Sequence, residues 1–455
     1  MKEISRRAAR PLAVLLALPL AACATYRARP IRPERSARAL VARSLTDPRL
    51  LRFLAIEERR AGPPRWNLQT LTLVATYERP ELPLATAQFS EAKAAEITAA
   101  ELPNPTLSFQ PAYNTTTTTP SPWKVGPVVS LLIRSFWVRP ALISRARAQI
   151  EVARVEIAVT AWQLRGNVRT GLLALWSAQR SAKLSTRALA VANRYQGAVA
   201  QRYRAGMVSA SDLTTATLAQ EQAQLEAAAR ERTLQLTRTG LATALGLPVA
   251  ALHDVNLDLA GISHPQRPGN LGPLIHAALI KRPDVLAALD RYRASEANLR
   301  LAVARQYPSI DIGPGYHYDQ GDNKFLLAVS LPLPILNQNQ GPIAQARAAR
   351  RVAAAQFRAT QLRALAEIER ARTDWQASSA ELASARQVRA SAVNVLSRRR
   401  IEFTAGQVGQ LRLLGAEEVF VQAEQGALAA SVHERAALGE LEAALYHPFL
   451  ITGRR

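Results

Sequence analysis

The sequence predicts a mainly α-helical chain with a minor membrane-type β part, built from a duplicated helix-strand-strand-helix-helix unit. Three observations carry this. The chain aligns on itself, two pairs of alternating strands interrupt otherwise helical stretches, and the helices are long and nearly free of breakers. With 455 residues and 48% hydrophobic content, the chain can bury a large core and is not mainly disordered.

The N-terminus MKEISRRAARPLAVLLALPLAAC carries Lys2, Arg6, Arg7 and Arg10, then an apolar run from Pro11 to Ala22. That run is too short to span a bilayer and reads as a signal peptide, 1–22. It ends in LAAC at Cys23, the only cysteine, so no intrachain disulfide can form. The LAAC stretch resembles the lipobox of bacterial lipoproteins, which implies acylation of Cys23. Ala24 in place of Asp implies sorting to the outer membrane. The alternative is an ordinary exported protein in which Cys23 is incidental.

Without residues 1–22 the net charge falls from +23 to +20. A basic balance of this size suits nucleic acid or an anionic membrane as partner. Here arginine outnumbers lysine 52 to 6 and is spread along the helices. No nucleic-acid-binding motif accompanies it, and most of it reads as solvated helix surface.

The duplication sets the domain order. At a shift of 203, RPEL at 79–82 falls on RPDV at 282–285, and NPTLSF at 104–109 falls on YPSIDI at 307–312. At a shift of 200, YRAGMVSASDL at 203–213 falls on FTAGQVGQLRL at 403–413. The difference lies in the threonine-rich TTTTTPSP, where a loop tip absorbs an insertion. The expected layout is an N-terminal linker at 23–65, a first repeat at 66–250, a linker at 251–270, a second repeat at 271–447 and a tail at 448–455.

Each repeat carries a strand pair, expected within 106–133 and 309–333. Leu107, Phe109, Pro111 and Tyr113 alternate with Thr106, Ser108, Gln110 and Ala112. In YPSIDIGPGYHYD, Ile310, Ile312, Pro314, Tyr316 and Tyr318 alternate with Ser309, Asp311, Gly313, Gly315, His317 and Asp319. A two-residue period with one apolar face fits strands between oil and water, and about ten residues cross an outer membrane. Asp311, His317 and Asp319 then face a lumen, where polar residues are the ordinary lining. Four strands cannot close a barrel, and an open edge in lipid leaves backbone groups unsatisfied, so other copies of the chain must close it. A soluble two-hairpin sheet would need a partner layer that the sequence does not supply.

The long helices follow. From Ile343 to Ala405 there is neither Pro nor Gly, which gives roughly 90 Å of helix. Phe357, Ala364, Ile368, Ala371, Trp375, Leu382 and Ala385 form a narrow coiled-coil seam. The return helix, 411–446, is about half as long. Stacked end to end with a helix expected from Leu274 to Arg305, it makes up the length. Gly206 and Gly406 mark the turns. The six histidines show no metal-ligand spacing, and no nucleophilic or paired-carboxylate constellation stands out, so no catalytic activity and no cofactor are expected.

Over most of residues 66–446 the chain resembles the outer-membrane efflux proteins, the TolC-like ducts of tripartite exporters. The doubled xPxLxF strand starts, the doubled AGxV turn and SLPLPILNQNQGPIAQARA at 330–348 carry the resemblance. The last is most similar to the CzcC-like heavy-metal branch. This resemblance implies a homotrimer whose twelve strands form one β-barrel in the outer membrane, continued by a long periplasmic α-helical barrel. Its function would be passive conduction of a substrate, heavy-metal cations in the CzcC-like branch. The partners implied are a periplasmic adaptor (membrane fusion protein) and an inner-membrane transporter, of the resistance-nodulation-division type in that branch. It further implies an adaptor-docking tip at Arg202, Tyr203, Gly206, Val208, Asp212, Leu213, Gly406, Val408 and Leu413. Ending two helices is the simpler role for these residues. Where relatives carry a ring of acidic gate residues, this chain has Arg412 and Gly415, with Asp212 in the first repeat. Arg412 is either part of a charged ring paired with Asp212 or a solvated outer-wall residue. A periplasmic coiled-coil adaptor would show one hairpin and no duplication, and a structural envelope lipoprotein would lack lipid-facing strands.

Overall fold

The computed structural model describes residues 26–59, 62–116, 121–133 and 138–449. The expected signal peptide and Cys23 lie outside the described residues. The chain divides into two units, Met1–Ser44 and Leu45–Arg455. The described part of the first holds one helix, α1 (Pro33–Val41), with no buried side chain.

The second unit begins with α2 (Pro48–Glu57), α3 (Leu68–Glu78) and α4 (Glu81–Ala100). The short strands β1 (Thr106–Phe109), β2 (Ala112–Tyr113), β3 (Trp123–Val125) and β4 (Pro127–Ile133) follow, then the long helix α5 (Val138–Arg204) and its return α6 (Ala210–Leu245). The second repeat runs through α7 (Ala260–Ser263), α8 (Gly272–Lys281), α9 (Pro283–Ala304), β5 (Ile310–Asp319), β6 (Asp322–Ser330), α10 (Gln340–Thr404) and α11 (Gln410–Leu445).

Helices and strands share one order. In the half next to the sheet, α5 packs between α4 and α9, and α9 packs on α10. In the other half α5 packs between α6 and α11, and α11 packs on α10. The result is four lanes: α4 with α6, then α5, then α9 with α11, then α10. The sheet repeats it, with β1 and β2 outside, β3 and β4 next, then β5, then β6, all antiparallel. The seam read from the sequence is the one buried: Ala364, Ile368, Ala371 and Leu382 are enclosed along α10.

Two differences from the sequence reading have a common cause in proline. Residues 274–305 are not one helix, because Pro283 drives Arg282 to extended backbone (φ −57°, ψ 135°) and separates α8 from α9. Arg79 before Pro80 does the same between α3 and α4 (φ −79°, ψ 138°). The first hairpin is not two unbroken strands either: Pro111 lies in the gap between β1 and β2, and the return strand breaks at Gly126, just ahead of Pro127, each proline lacking the N–H that a ladder uses.

Segments expected as linkers are partly core. Leu45, Leu50 and Leu54 are fully enclosed against Leu71, Val74, Leu172 and Leu241, so the stretch from 45 onward is a packed element. Within 251–270, Ile262 is buried in the same cluster, and Val255, Leu257 and Leu259 lean on it. Phe449, expected in the tail, packs on a second cluster of Ala278, Ile368 and Leu441.

Candidate functional site: sheet, helix joints and tip

The register sorts every strand residue to one of two faces. Across the four lanes, Leu107, Val129, Pro314 and Leu327 form one row, and Phe109, Pro127, Tyr316 and Phe325 the next. Leu131, Ile312 and Val329 continue this face toward the helices. Phe325 is 88% exposed and Leu327 66%, so an apolar face this wide has no cover among the described residues. Tyr113 packs edge-on against Trp123 at 4.9 Å, at the end remote from the helices, where an aromatic girdle meets a headgroup layer. The opposite face carries Thr106, Ser108, Ser130, Lys124, Asp311, His317, Asp319 and Lys324. Gly126 lets the two hairpins close up: a Cβ there would sit 1.8 Å from the carbonyl oxygen of Tyr316.

All three expected lumen residues lie on this polar face. Lys324 Nζ donates to Asp319 at 2.9 Å, with Lys124 Nζ at 4.0 Å, so the Asp319 charge is compensated. Asp311 and His317 are six residues apart on one strand, about 20 Å, and cannot share an ion. Among the described residues no three His, Cys, Asp or Glu side chains converge as a metal site.

The RPEL and RPDV motifs are the joints between stacked helices. Arg79 Nη1 donates to the Thr243 carbonyl at the end of α6 (2.7 Å), and its guanidinium pairs with Glu81. Arg282 Nη1 donates to the Ala444 carbonyl at the end of α11 (2.8 Å), while Nε and Nη2 hold Asp284 and Nη2 also meets Glu367. Each arginine satisfies a terminal carbonyl of one helix while its acid sits in the first turn of the next, where the helix dipole favours a negative charge. Both motifs were visible as repeats, but not the carbonyls they reach.

Many arginines do more than solvate the surface. Glu424 of α11 is held by Arg187 of α5 (2.9 Å) and Arg389 of α10 (3.3 Å). One heptad away, Glu417 is held by Arg194 (2.5 Å) and Arg400 (3.7 Å). Arg435 lies over Trp176 and donates to the carbonyls of Ile262, Ser263 and Ser431, fastening the segment after the first repeat to the return helix of the second.

At the far end, Gly206 and Gly406 both take φ +72°. The same two hydrogen bonds close each turn: Gly206 N to Tyr203 O and Met207 N to Arg202 O, Gly406 N to Phe403 O and Gln407 N to Glu402 O. The Arg202 guanidinium lies against Gly409, so the two turns are neighbours. Arg202, Tyr203 and both glycines are exposed, Val208, Val408 and Leu213 are half-buried, and Leu413 packs inward on the cluster of Leu396 and Phe420. Asp212 accepts from the backbone and hydroxyl of Ser209 in a capping box, which holds its carboxyl below the ordinary aspartate range. Arg412 is exposed, and among the described residues no ion pair joins it to Asp212 within the chain.

Four antiparallel lanes of long helix, continued by a sheet with one bare apolar face and two open edges, define a subunit of a β-barrel and helical duct. The chain belongs to the outer membrane efflux protein family, whose sequence pattern matches residues 74–247 and 274–445. It is 28% identical over 290 residues to the cobalt-zinc-cadmium resistance protein CzcC of Cupriavidus metallidurans, covering 63% of this chain and 68% of that one. The crystal structure of the outer membrane protein VceC of Vibrio cholerae superposes with a TM-score of 0.68 at 19% identity, over 84% of this chain and 97% of that one. A structure of CusC, described in connection with transmembrane channel formation, gives 0.67 at 19% identity, over 85% and 95%. The protein is an outer-membrane efflux channel of the tripartite type.

Proposed function

We propose that three copies close edge to edge into a lipid-anchored duct, with a twelve-stranded barrel in the outer membrane, that passively conducts heavy-metal cations delivered by an inner-membrane pump through a periplasmic adaptor. The observation that carries this is the shared lane order of helices and sheet. Placing β6 of one copy beside β1 and β2 of the next also places α10 beside α4 and α6, so one rotation closes both layers. Exposed Leu218 and Leu225 on α6, and Leu362 on α10, supply apolar side chains for that seam. Acylation of Cys23 supplies the anchor, and the paired glycine turns supply the adaptor-docking tip. The metal cargo rests on the likeness to CzcC. Deleting the gene and measuring growth and cell content of cobalt, zinc and cadmium tests it. Hypersensitivity reversed by the plasmid-borne gene is expected, and unchanged metal tolerance would remove the metal cargo while leaving the duct.

A further inference from the structure

The two turns at the tip are aligned by the duplication but differ in charge. Over 198–213 the chain reads AVAQRYRAGMVSASDL, and over 398–413 it reads RRRIEFTAGQVGQLRL. Six arginines less two acids leave a net +4 in these 32 residues, whereas an average stretch of that length in this chain carries about +2. Both acids are engaged within the chain: Asp212 caps α6 through Ser209, and Glu402 holds Arg399 at 2.5 Å. Arg400 reaches Glu417 at 3.7 Å. Arg202, Arg204, Arg398 and Arg412 are exposed, and among the described residues none of them has an acidic partner. Farther along the same helices arginines are matched, as at Glu424, so the surplus is local to the tip. Arg412 stands where the first repeat has Asp212, in a first helical turn that carries no acid, the unfavourable sign for that end of a helix.

We propose that this tip receives an acidic protein partner: a periplasmic adaptor whose docking end carries a surplus of Asp and Glu that pairs with Arg202, Arg204, Arg398 and Arg412. The proposal rests on the docking reading above and adds the chemistry of the docked face. Protein is favoured over lipid for two reasons. The 67 residues of α5 carry the tip roughly 100 Å from the sheet, out of reach of the membrane in which the sheet is placed. The cations are also interleaved with exposed Tyr203, Met207, Ile401 and Phe403, and a duct is continued by protein walls rather than by a fluid surface. Three copies bring twelve unmatched arginines to one mouth, and the field of that ring repels divalent cations. Carboxylates on the docked partner cancel it, so the contact that seals the passage also opens it to the proposed cargo.

The test uses the full chain in its native cells with p-benzoylphenylalanine in place of Gln407. Ultraviolet light should join the trimeric duct to one periplasmic protein, and mass spectrometry of the crosslinked peptide reads the contacted sequence. That sequence should be a helical-hairpin end with more Asp and Glu than Lys and Arg. Changing Arg202, Arg204, Arg398 and Arg412 to Gln should cut the crosslink yield about tenfold, four exposed pairs acting together, with the trimer intact. Changing the contacted acids of the partner to Lys should abolish capture, and Arg398→Glu with Arg412→Glu in the duct should restore it. A neutral or basic captured end overturns the proposal, and so does a yield that ignores the four changes or a loss that the reversed charges do not restore; docking itself survives all three. An adduct to phospholipid alone overturns it as well. Trimeric ducts that capture nothing, with the photoreactive residue at Gln407 or at Ser209, would strike docking at the tip and the acidic partner with it.

Discussion

Replacing Arg282 with Ala removes the joint between α9 and α11. The Arg282 side chain is 7% exposed, and it supplies one hydrogen bond to the Ala444 carbonyl and ion pairs to Asp284 and Glu367. Breaking a buried pair costs about 3–5 kcal/mol when the remaining charge stays enclosed. Here Asp284 is 39% and Glu367 46% exposed, so both recover water and the cost falls to about 2–3 kcal/mol. Arg79→Ala at the equivalent joint, with a more exposed pair, should cost about 1 kcal/mol. Thermal unfolding of the detergent-solubilised assembly, followed by circular dichroism at 222 nm, should drop by about 2–3 °C for Arg282→Ala and by less for Arg79→Ala. Arg282→Lys, which keeps the charge but not the fork, should fall between wild type and Arg282→Ala. An unchanged midpoint for Arg282→Ala, or a larger loss at Arg79, would refute the joint as described.

Leu327→Arg on the bare face should cost roughly 2–4 kcal/mol near the bilayer midplane and reduce outer-membrane assembly, whereas Ser108→Arg on the polar face should assemble normally. Equal loss on both faces would overturn the face assignment. The Asp212 carboxyl has its folded-state pKa lowered by Ser209, so its capping contribution is complete above the ordinary value of 3.8 and is lost as pH falls through the lowered value. Amide exchange at Ser209 should therefore stay slow until pH drops below that ordinary value, and Asp212→Ala should abolish the protection. Arg412→Ala should give a more cation-permeable channel in planar bilayers if Arg412 lines the constriction; unchanged selectivity would place it on the outer wall. Cys23→Ser should abolish labelling by a fatty-acid analogue, and label retained at the wild-type level would exclude acylation at Cys23.

Features written in local pattern were legible in the sequence. Alternation placed Leu107, Ile312 and Leu327 on one face and Asp311 and His317 on the other, because a strand's period is fixed by its backbone. The seam at Ala364, Ile368 and Leu382 was legible for the same reason in a helix. Long-range partners were not. Arg282 was visible as part of a repeat, yet its target is a backbone carbonyl 162 residues away, and a carbonyl carries no sequence signature. Glu417 and Glu424 belong to no sequence motif, and only lane order brings an arginine of α5 and one of α10 to each. Leu45, Leu50 and Leu54 lie before the detectable repeat, so duplication could not reveal that they are core. The break at Pro283 is present in the letters, within the span 274–305 expected as one helix.

Ring closure is tested most directly by native mass spectrometry of the protein released from the outer membrane in mild detergent. The account predicts one species with three copies per particle, converted to single chains on heating. A folded, membrane-extracted species of one copy would leave the edges at β1 and β6 open in lipid and would contradict it.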